Sequence, residues 1–387
     1  MRKIFHDIHL WLSVPFGIII ALICFSGAML VFEQEITQKV QKEIYFVEAQ
    51  DRQPLPADSL MLCATRQLPD SVSITGLTIY PEPDRAWQLS LSKPKKAAAY
   101  INPYTGELTG KTKRLPFFST MFRLHRWLLD SANPQGGIFW GKVIVGISTL
   151  AFVFVLISGI FIWWPRTRKA LKTRLQICCT RGMKRFWYDL HVAGGMYALI
   201  LLLAMALTGL TWSFKWYNNA FYAVFGVKTS QQSRAKQPET EKGKPNSSQN
   251  GKGQGPQENA RLAKVRQSTC SWQRVYEQLA AENPEYRQIQ LSQNTASVYF
   301  HRWGNQRAAD RYTFDVKSGR ITEEAPYASL DKSGKIRGWI YSMHVGEWGG
   351  MLTRVLTVLV ALLGTSLPLT GYYLWIARLL RKKQRRS

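Results

Sequence analysis

Residues 189–214 read DLHVAGGMYALILLLAMALTGLTWSF. After the Asp189-Leu-His191 opening, Val192–Phe214 contains no Asp, Glu, Lys or Arg. At about 1.5 Å per helical residue, such a run crosses a hydrocarbon layer roughly 30 Å thick. Residues 7–32, DIHLWLSVPFGIIIALICFSGAMLVF, are written to the same plan. Asp7-Ile-His9 matches Asp189-Leu-His191, and Gly27 and Gly209 each follow their histidine by eighteen residues. Ser26-Gly27 matches Thr208-Gly209, and Phe32 matches Phe214. Two more uncharged windows, Val143–Trp164 and Val355–Ala377, also correspond: Ser158-Gly159 with Trp163 and Arg166 aligns with Thr370-Gly371, Trp375 and Arg378. The expectation is an α-helical integral membrane protein, a four-helix transmembrane bundle arising by internal duplication.

The full chain has 387 residues and a formal charge of +26, which by itself suggests nucleic acid. The distribution of that charge argues otherwise. The loop 165–186 holds eight Lys or Arg and no acid, and the stretch 377–387 holds six, whereas residues 33–120 balance eleven bases with ten acids. The positive-inside bias therefore predicts both termini and the 165–186 loop in the cytoplasm. Blocks of bases beside a span are the usual flank to anionic lipid. A cytosolic enzyme, a secreted domain and a simple nucleic-acid binder are excluded. The N-terminal run is too long for a signal peptide and lacks a small-residue cleavage site, so it reads as a retained first helix.

The predicted segments are 1–32, the first transmembrane helix; 33–120, an outer module; 121–164, an interfacial segment and the second helix; and 165–186, the basic cytoplasmic loop. Next come 187–214, the third helix; 215–340, a second outer module; 341–377, an interfacial segment and the fourth helix; and 378–387, a basic tail. Each module reads as a small α+β unit. Helical windows at Ala57–Leu68 and Trp272–Asn283 precede alternating strands such as Trp87–Leu91 and Ala296–His301. Tyr100-Ile-Asn102 through Thr105-Gly106 corresponds to Tyr312 and Asp315 through Ser318-Gly319, a strand–turn–strand pattern. Residues 228–264 are rich in Gln, Ser, Lys, Gly and Pro and predict a disordered loop inside the second module. Cys63 and Cys270 both fall on the outer, oxidising side, where a disulfide and two free thiols are both open readings.

Six histidines are present, and four stand at the mouths of the four spans: His9 and His191 at the cytoplasmic ends, His125 and His344 on the outer side. Two faces roughly 30 Å apart make two pairs rather than one site. Imidazoles from facing helices of a bundle suit the two axial positions of a haem iron. Zinc would need further Cys or acidic ligands. The plainer reading of any one of these histidines is an interfacial anchor. Gly17, Gly194, Gly195, Gly349 and Gly350 are expected to admit a porphyrin near the backbone, whereas Gly27, Gly159, Gly209 and Gly371 read as helix-packing positions. Asp7 and Asp189 read as helix N-caps, with a hydrogen bond to a ligand imidazole as the alternative. His6 and His301 are not expected to be ligands. The tryptophans at span ends read as an interfacial belt.

At these residues the chain resembles the PepSY-associated transmembrane family, often labelled iron-regulated membrane proteins. The resemblance rests on His9-Leu-Trp11, Ser158-Gly159 through Trp164-Pro165-Arg166, Asp189-Leu-His191 with Thr208-Gly209 through Phe214, and His344 through Thr370-Gly371. The turns around Asn102 and Asp315 look like PepSY modules. The resemblance implies two periplasmic PepSY-like α+β modules in the bacterial inner membrane, and two b haems held by His9, His191, His125 and His344. It also implies a reductase that carries electrons across the membrane to a periplasmic acceptor such as a ferric siderophore. No nucleotide-binding fingerprint is present, so the donor would be a quinol or a separate reductase. The alternative is a non-enzymatic membrane protein whose PepSY modules bind peptide or a partner protein. Relative to the His344 side, the His125 side carries an insertion, Trp127–Asn133. A reporter fused after Arg174 or at the C-terminus is expected to be cytoplasmic, and one inserted at Gly251 to lie outside; an external C-terminus would overturn the topology.

Overall fold

The computed structural model describes residues 2–94, 97–132, 136–227, 261–263, 265, 269 and 271–384. Most of the low-complexity stretch 228–264, and Cys270 with its candidate disulfide, lie outside the described residues. In chain order the helices are α1 (Arg2–Leu30), α2 (Glu33–Val40), α3 (Lys42–Tyr45), α4 (Ala57–Gln67), α5 (Pro116–Trp127) and α6 (Trp140–Trp163). They continue with α7 (Arg168–Arg174), α8 (Met183–Ser213), α9 (Lys215–Val224), α10 (Trp272–Glu282), α11 (Lys332–Val345) and α12 (Met351–Gln384). The chain divides into two compact units, a helical one and a mixed one.

In the helical unit, α1, α6, α8 and α12 are long and apolar enough to cross a membrane. A helix satisfies all its backbone polar groups internally, so it is the form such runs take in lipid. Their shared core joins Ile20 of α1, Phe152 and Leu156 of α6, Leu202 and Leu210 of α8, and Val360 and Leu367 of α12. Two departures from regular helix fall close to histidines. Within α8 one turn, Leu190–Gly194, widens to a π-helix and contains His191. The α5 helix, which carries His125, stops where Leu128 and Leu129 both turn left-handed, at φ 50° and 67°. The Asp130 carboxylate then accepts the Gly141 N–H at 2.8 Å, tying the connection to the start of α6. Of the extra residues of the His125 side, Trp127 ends α5 and 128–132 lie in this connection, while Asn133 is outside the described residues.

The mixed unit departs from the expectation of two separate small modules. Strands β1 (Ile74–Ile79), β2 (Trp87–Leu91), β3 (Ala98–Ile101), β4 (Leu108–Lys111), β5 (Gln288–Ser292), β6 (Thr295–Tyr299), β7 (Ala309–Phe314) and β8 (Ile321–Ala325) form one antiparallel sheet. Its order is β4-β3-β2-β1-β5-β6-β7-β8. The seam is the β1–β5 pair, with Leu77 opposite Leu291 and Ile79 opposite Ile289. The two sets of strands thus each protect the edge that the other would leave open. The alternate residues Leu77, Ile79, Leu89, Ile101, Ile289, Leu291, Val298 and Phe314 point to one face, where Leu60 and Met61 of α4 and Trp272 and Leu279 of α10 complete a single core. The backbone N–H of Ala57, opening α4, donates to the Gln273 side chain of α10 at 2.8 Å.

The two turns singled out in the sequence share their geometry: the Gly106 N–H donates to the Asn102 carbonyl at 2.9 Å and the Gly319 N–H to the Asp315 carbonyl at 2.8 Å. Both glycines are left-handed, at φ 76° and 70°, which explains the residue type. The tyrosines are not equivalent, however. Tyr100 precedes its turn residue by two positions and Tyr312 by three, and a one-residue offset reverses a side chain's face. Accordingly Tyr312 lies in the main core and Tyr100 in a second cluster with Tyr45 and Ala86. His301 lies beyond the end of β6 and is exposed.

Leu291 is fully buried at the seam. Leu291→Ala should lower stability by about 2–5 kcal/mol, read as a fall in the thermal unfolding midpoint of detergent-solubilised protein. Thr295→Ala, at an exposed position of β6, should leave the midpoint within error. Equal midpoints for both variants would mean that the seam does not hold the sheet together.

Candidate functional site

The helical unit brings the four span-mouth histidines together in two pairs. His9 of α1 and His191 of α8 have ring centres 6.3 Å apart, with planes at 84°. His125 of α5 and His344 of α11 have ring centres 6.0 Å apart, with planes at 54°. These are the pairings expected from the sequence, and the insertion beside His125 does not disturb the second pair.

One device positions all four rings. His9 Nδ1 lies 3.1 Å from the Val155 carbonyl oxygen on α6. His191 Nδ1 lies 3.1 Å from the Leu367 carbonyl on α12, His125 Nδ1 2.9 Å from the Ile23 carbonyl on α1, and His344 Nδ1 3.0 Å from the Met205 carbonyl on α8. A carbonyl oxygen only accepts, so each Nδ1 carries the proton and donates it. That fixes the tautomer and, among the described residues, leaves the Nε2 lone pair of every ring free to bind a metal.

The receiving carbonyl always belongs to the residue three before a Ser-Gly or Thr-Gly dipeptide: Ser26-Gly27, Ser158-Gly159, Thr208-Gly209 and Thr370-Gly371. The hydroxyls bond back to their own helices, Ser158 to Val155 at 2.9 Å and Thr370 to Leu367 at 2.9 Å among them. Three also sit against the imidazole: Ser158 Oγ is 3.1 Å from His9 Nδ1, Thr370 Oγ1 3.0 Å from His191 Nδ1, and Thr208 Oγ1 3.2 Å from His344 Nδ1. Because these hydroxyl protons are spent on carbonyls, the oxygens are available to share the Nδ1–H.

The glycine is what opens the way. In an α-helix the residue four positions on lies over the carbonyl, and here that residue is the glycine in every case. A Cβ at Gly27 would lie 2.9 Å from His125 Cε1, at Gly209 3.1 Å from His344 Cε1, at Gly371 3.4 Å from His191 Cε1 and at Gly159 3.7 Å from His9 Cε1. The assignment of these four glycines to plain helix packing is therefore corrected: they are the floors on which the imidazoles rest. Of the glycines expected to admit a porphyrin, all but Gly350 face other groups. Gly17 meets Tyr372, Gly194 and Gly195 meet leucines, Gly349 meets Thr353, and nothing lies near Gly350.

The aspartates are corrected as well. Asp7 lies inside α1, 3.5 Å from His6. Asp189 lies inside the continuous α8, buried, and its carboxylate accepts from Arg185 Nε at 2.7 Å and from the Cys178 backbone N–H at 3.2 Å. Neither caps a helix, because no helix begins there. His6, one turn before His9 on α1, approaches Arg378 at 3.3 Å and is not one of the paired rings. Trp212, read as interfacial belt, packs edge-on against His344 with centres 5.0 Å apart.

Burial pushes the His344 imidazole down to about 3, with His125 beside it adding to the effect, and burial lowers His125 likewise. Both are neutral at physiological pH, as ligation requires. A metal–imidazole bond of about 2 Å, with the ring centre roughly 1.1 Å behind the nitrogen, puts two axial ring centres about 6 Å apart. Both pairs meet that spacing. Among the described residues no three His, Cys, Asp or Glu side chains gather to complete a metal site of their own. Two imidazoles and nothing more is the donor set that fits a macrocycle bringing four nitrogens itself.

The family model for the PepSY-associated TM region matches residues 6–378, and the chain belongs to that family. It is a membrane protein with PepSY domains. No curated protein matches it.

Because a Cβ at Gly27 would overlap His125 whereas one at Gly159 meets His9 at ordinary contact, the alanine series should be graded. Gly27→Ala is expected to cost about 1–3 kcal/mol through overpacking, seen as a lower thermal midpoint. Gly159→Ala should be near neutral. The reverse order would refute the floor assignment.

Proposed function

We propose that the protein is an inner-membrane reductase that passes electrons across the bilayer to a periplasmic acceptor, ferric iron held by a siderophore. In this reading His9 and His191 hold one b haem and His125 and His344 a second. The observation that carries it is the paired spacing of 6.3 and 6.0 Å, with every Nδ1 committed to a helix carbonyl. Bound between such pairs, haem supplies reversible one-electron transfer.

The chain's own contribution is positional. The helix carbonyls of Val155, Leu367, Ile23 and Met205 orient the imidazoles before any ligand arrives and raise the basicity of Nε2. The π-turn at Leu190–Gly194 adds a residue to the helical turn that carries His191, a local departure of the kind found at functional sites. The bundle core of Leu, Ile, Val and Phe keeps water out between the two pairs. The two pairs lie toward opposite ends of α1, since His9 is near its start and Ile23 and Gly27 near its end. That separation suits transfer across the membrane rather than chemistry at one face. The bases of the 165–186 loop and the C-terminal tail support a cytoplasmic His9–His191 end. The electrons then enter from a quinol or a separate reductase. Reduction serves iron release, because ferrous iron is held less tightly than ferric iron by the hard oxygen donors of a siderophore.

His191→Ala should reduce haem content from two to one per chain and leave the remaining haem reducible by a soluble reductant added outside. His344→Ala should likewise leave one haem, still reduced by the inner donor, but reduction of an external ferric chelate should stop. His6→Ala and His301→Ala should keep both haems. A folded His344→Ala variant with two haems and full outward reduction would refute the second pair, and a protein whose histidines bind no haem would favour a PepSY membrane protein that binds peptide or a partner.

A further inference from the structure

Arg126 follows His125 at the end of α5 and is only half-buried, yet it lacks what the other inward-lying arginines have. Arg185 pairs with Asp189 and Arg302 with Asp310. Arg354 donates to the Val31 carbonyl, and even the exposed Arg123, three residues earlier, donates to the Leu129 carbonyl at 2.6 Å. Among the described residues no hydrogen bond or ion pair reaches the Arg126 guanidinium. It is instead bracketed by aromatic rings, its Cζ lying 5.6 Å from the Phe122 centre and 5.6 Å from the Trp127 centre. Those rings pack against each other at 5.6 Å, and Trp127 packs on Phe139 at 5.6 Å, so the bracket is part of the fold.

Burial penalises this charge, and a charge taken partly out of water is normally repaid by a counter-charge. The nearby imidazoles give no repayment. The Arg126 charge opposes protonation of both His125 and His344, which also places it close to the pair. A planar guanidinium held beside two aromatic rings, with its N–H fork unspent among the described residues, is suited to bidentate binding of a carboxylate.

We propose that Arg126 is the carboxylate-binding residue of the His125–His344 site, resting on the haem reading, with the propionate of the porphyrin held there as the carboxylate in place. The same chemistry would serve a carboxylate-bearing acceptor such as ferric citrate, and the two sources give different results. The test uses the full-length protein in detergent, comparing wild type, Arg126→Gln, Arg126→Lys and Arg123→Gln as a neighbouring control. The readouts are haem per chain, the rate of haem loss to added apomyoglobin, the midpoint potentials of both haems, and KM for ferric citrate. If a propionate is bound, Arg126→Gln should speed the loss of one haem roughly tenfold or more. It should also lower that haem's midpoint while leaving the other unmoved. Arg126→Lys should fall between, since it keeps the charge but loses the fork, and Arg123→Gln should match wild type. If the carboxylate belongs to the acceptor, haem loss should stay at the wild-type rate while KM for ferric citrate rises by a similar factor, the midpoint falling in either case through loss of the charge. Wild-type haem loss and KM in Arg126→Gln would overturn the proposal, whatever the midpoint does. A wild-type protein devoid of haem would instead refute the reading on which it rests.

Discussion

The arrangement of the helical unit turns on one hydrogen bond made four times: an imidazole Nδ1–H donated to a carbonyl of a neighbouring helix through the gap left by a missing Cβ. Each such bond is worth about 0.5–1.5 kcal/mol on its own. Its larger consequence is geometric. It links α1 to α6, α8 to α12, α5 to α1 and α11 to α8, so the pairs that position the ligands also set how these helices meet. A ring oriented in this way has a defined tautomer and a defined free nitrogen, which is the preorganisation that a ligand site needs.

Much of this was legible in the sequence. The four spans announce themselves by uncharged length, the helices Ala57–Gln67 and Trp272–Glu282 by periodicity, and the turns at Gly106 and Gly319 by residue type. The four histidines were legible because they recur at matched offsets in a chain that has only six. Their partners were not. The Ser/Thr-Gly dipeptides recur just as clearly, but which histidine rests on which glycine depends on helix neighbours. His9 rests at Gly159, not at Gly27 on its own helix. Small residues close to a histidine in sequence, such as Gly194 and Gly195, look like the better candidates, whereas the glycines that meet the rings are distant in sequence. The merging of the strands into one sheet was hidden for a similar reason: the β1–β5 pair joins residues more than two hundred positions apart. The aspartates failed as caps because α1 and α8 begin earlier than the apolar runs, with charged residues already helical.

Chemically, the site is defined by its economy. Two imidazoles per site, without carboxylate or thiolate, leave no complete coordination sphere for a bare cation among the described residues. In the proposed reading each pair would supply the two protein ligands of a haem iron. The two sites also differ in ways that bear on direction. The His9–His191 planes are nearly perpendicular, and both rings share their Nδ1–H with a hydroxyl. The second pair is tilted at 54°, has the Trp212 edge on His344, and lies beside the Arg126 charge. In the proposed haem reading, the Arg126 charge would favour the reduced state of iron held by the second pair, which would suit that site to accept electrons from the first.

The most direct test is the reduced-minus-oxidised absorption spectrum of the purified full-length protein from haem-sufficient cells, with haem quantified per chain. The predicted result is two b haems per chain, with the sharp Soret and α bands of six-coordinate bis-imidazole iron in the reduced state. A correctly folded, colourless protein would contradict it.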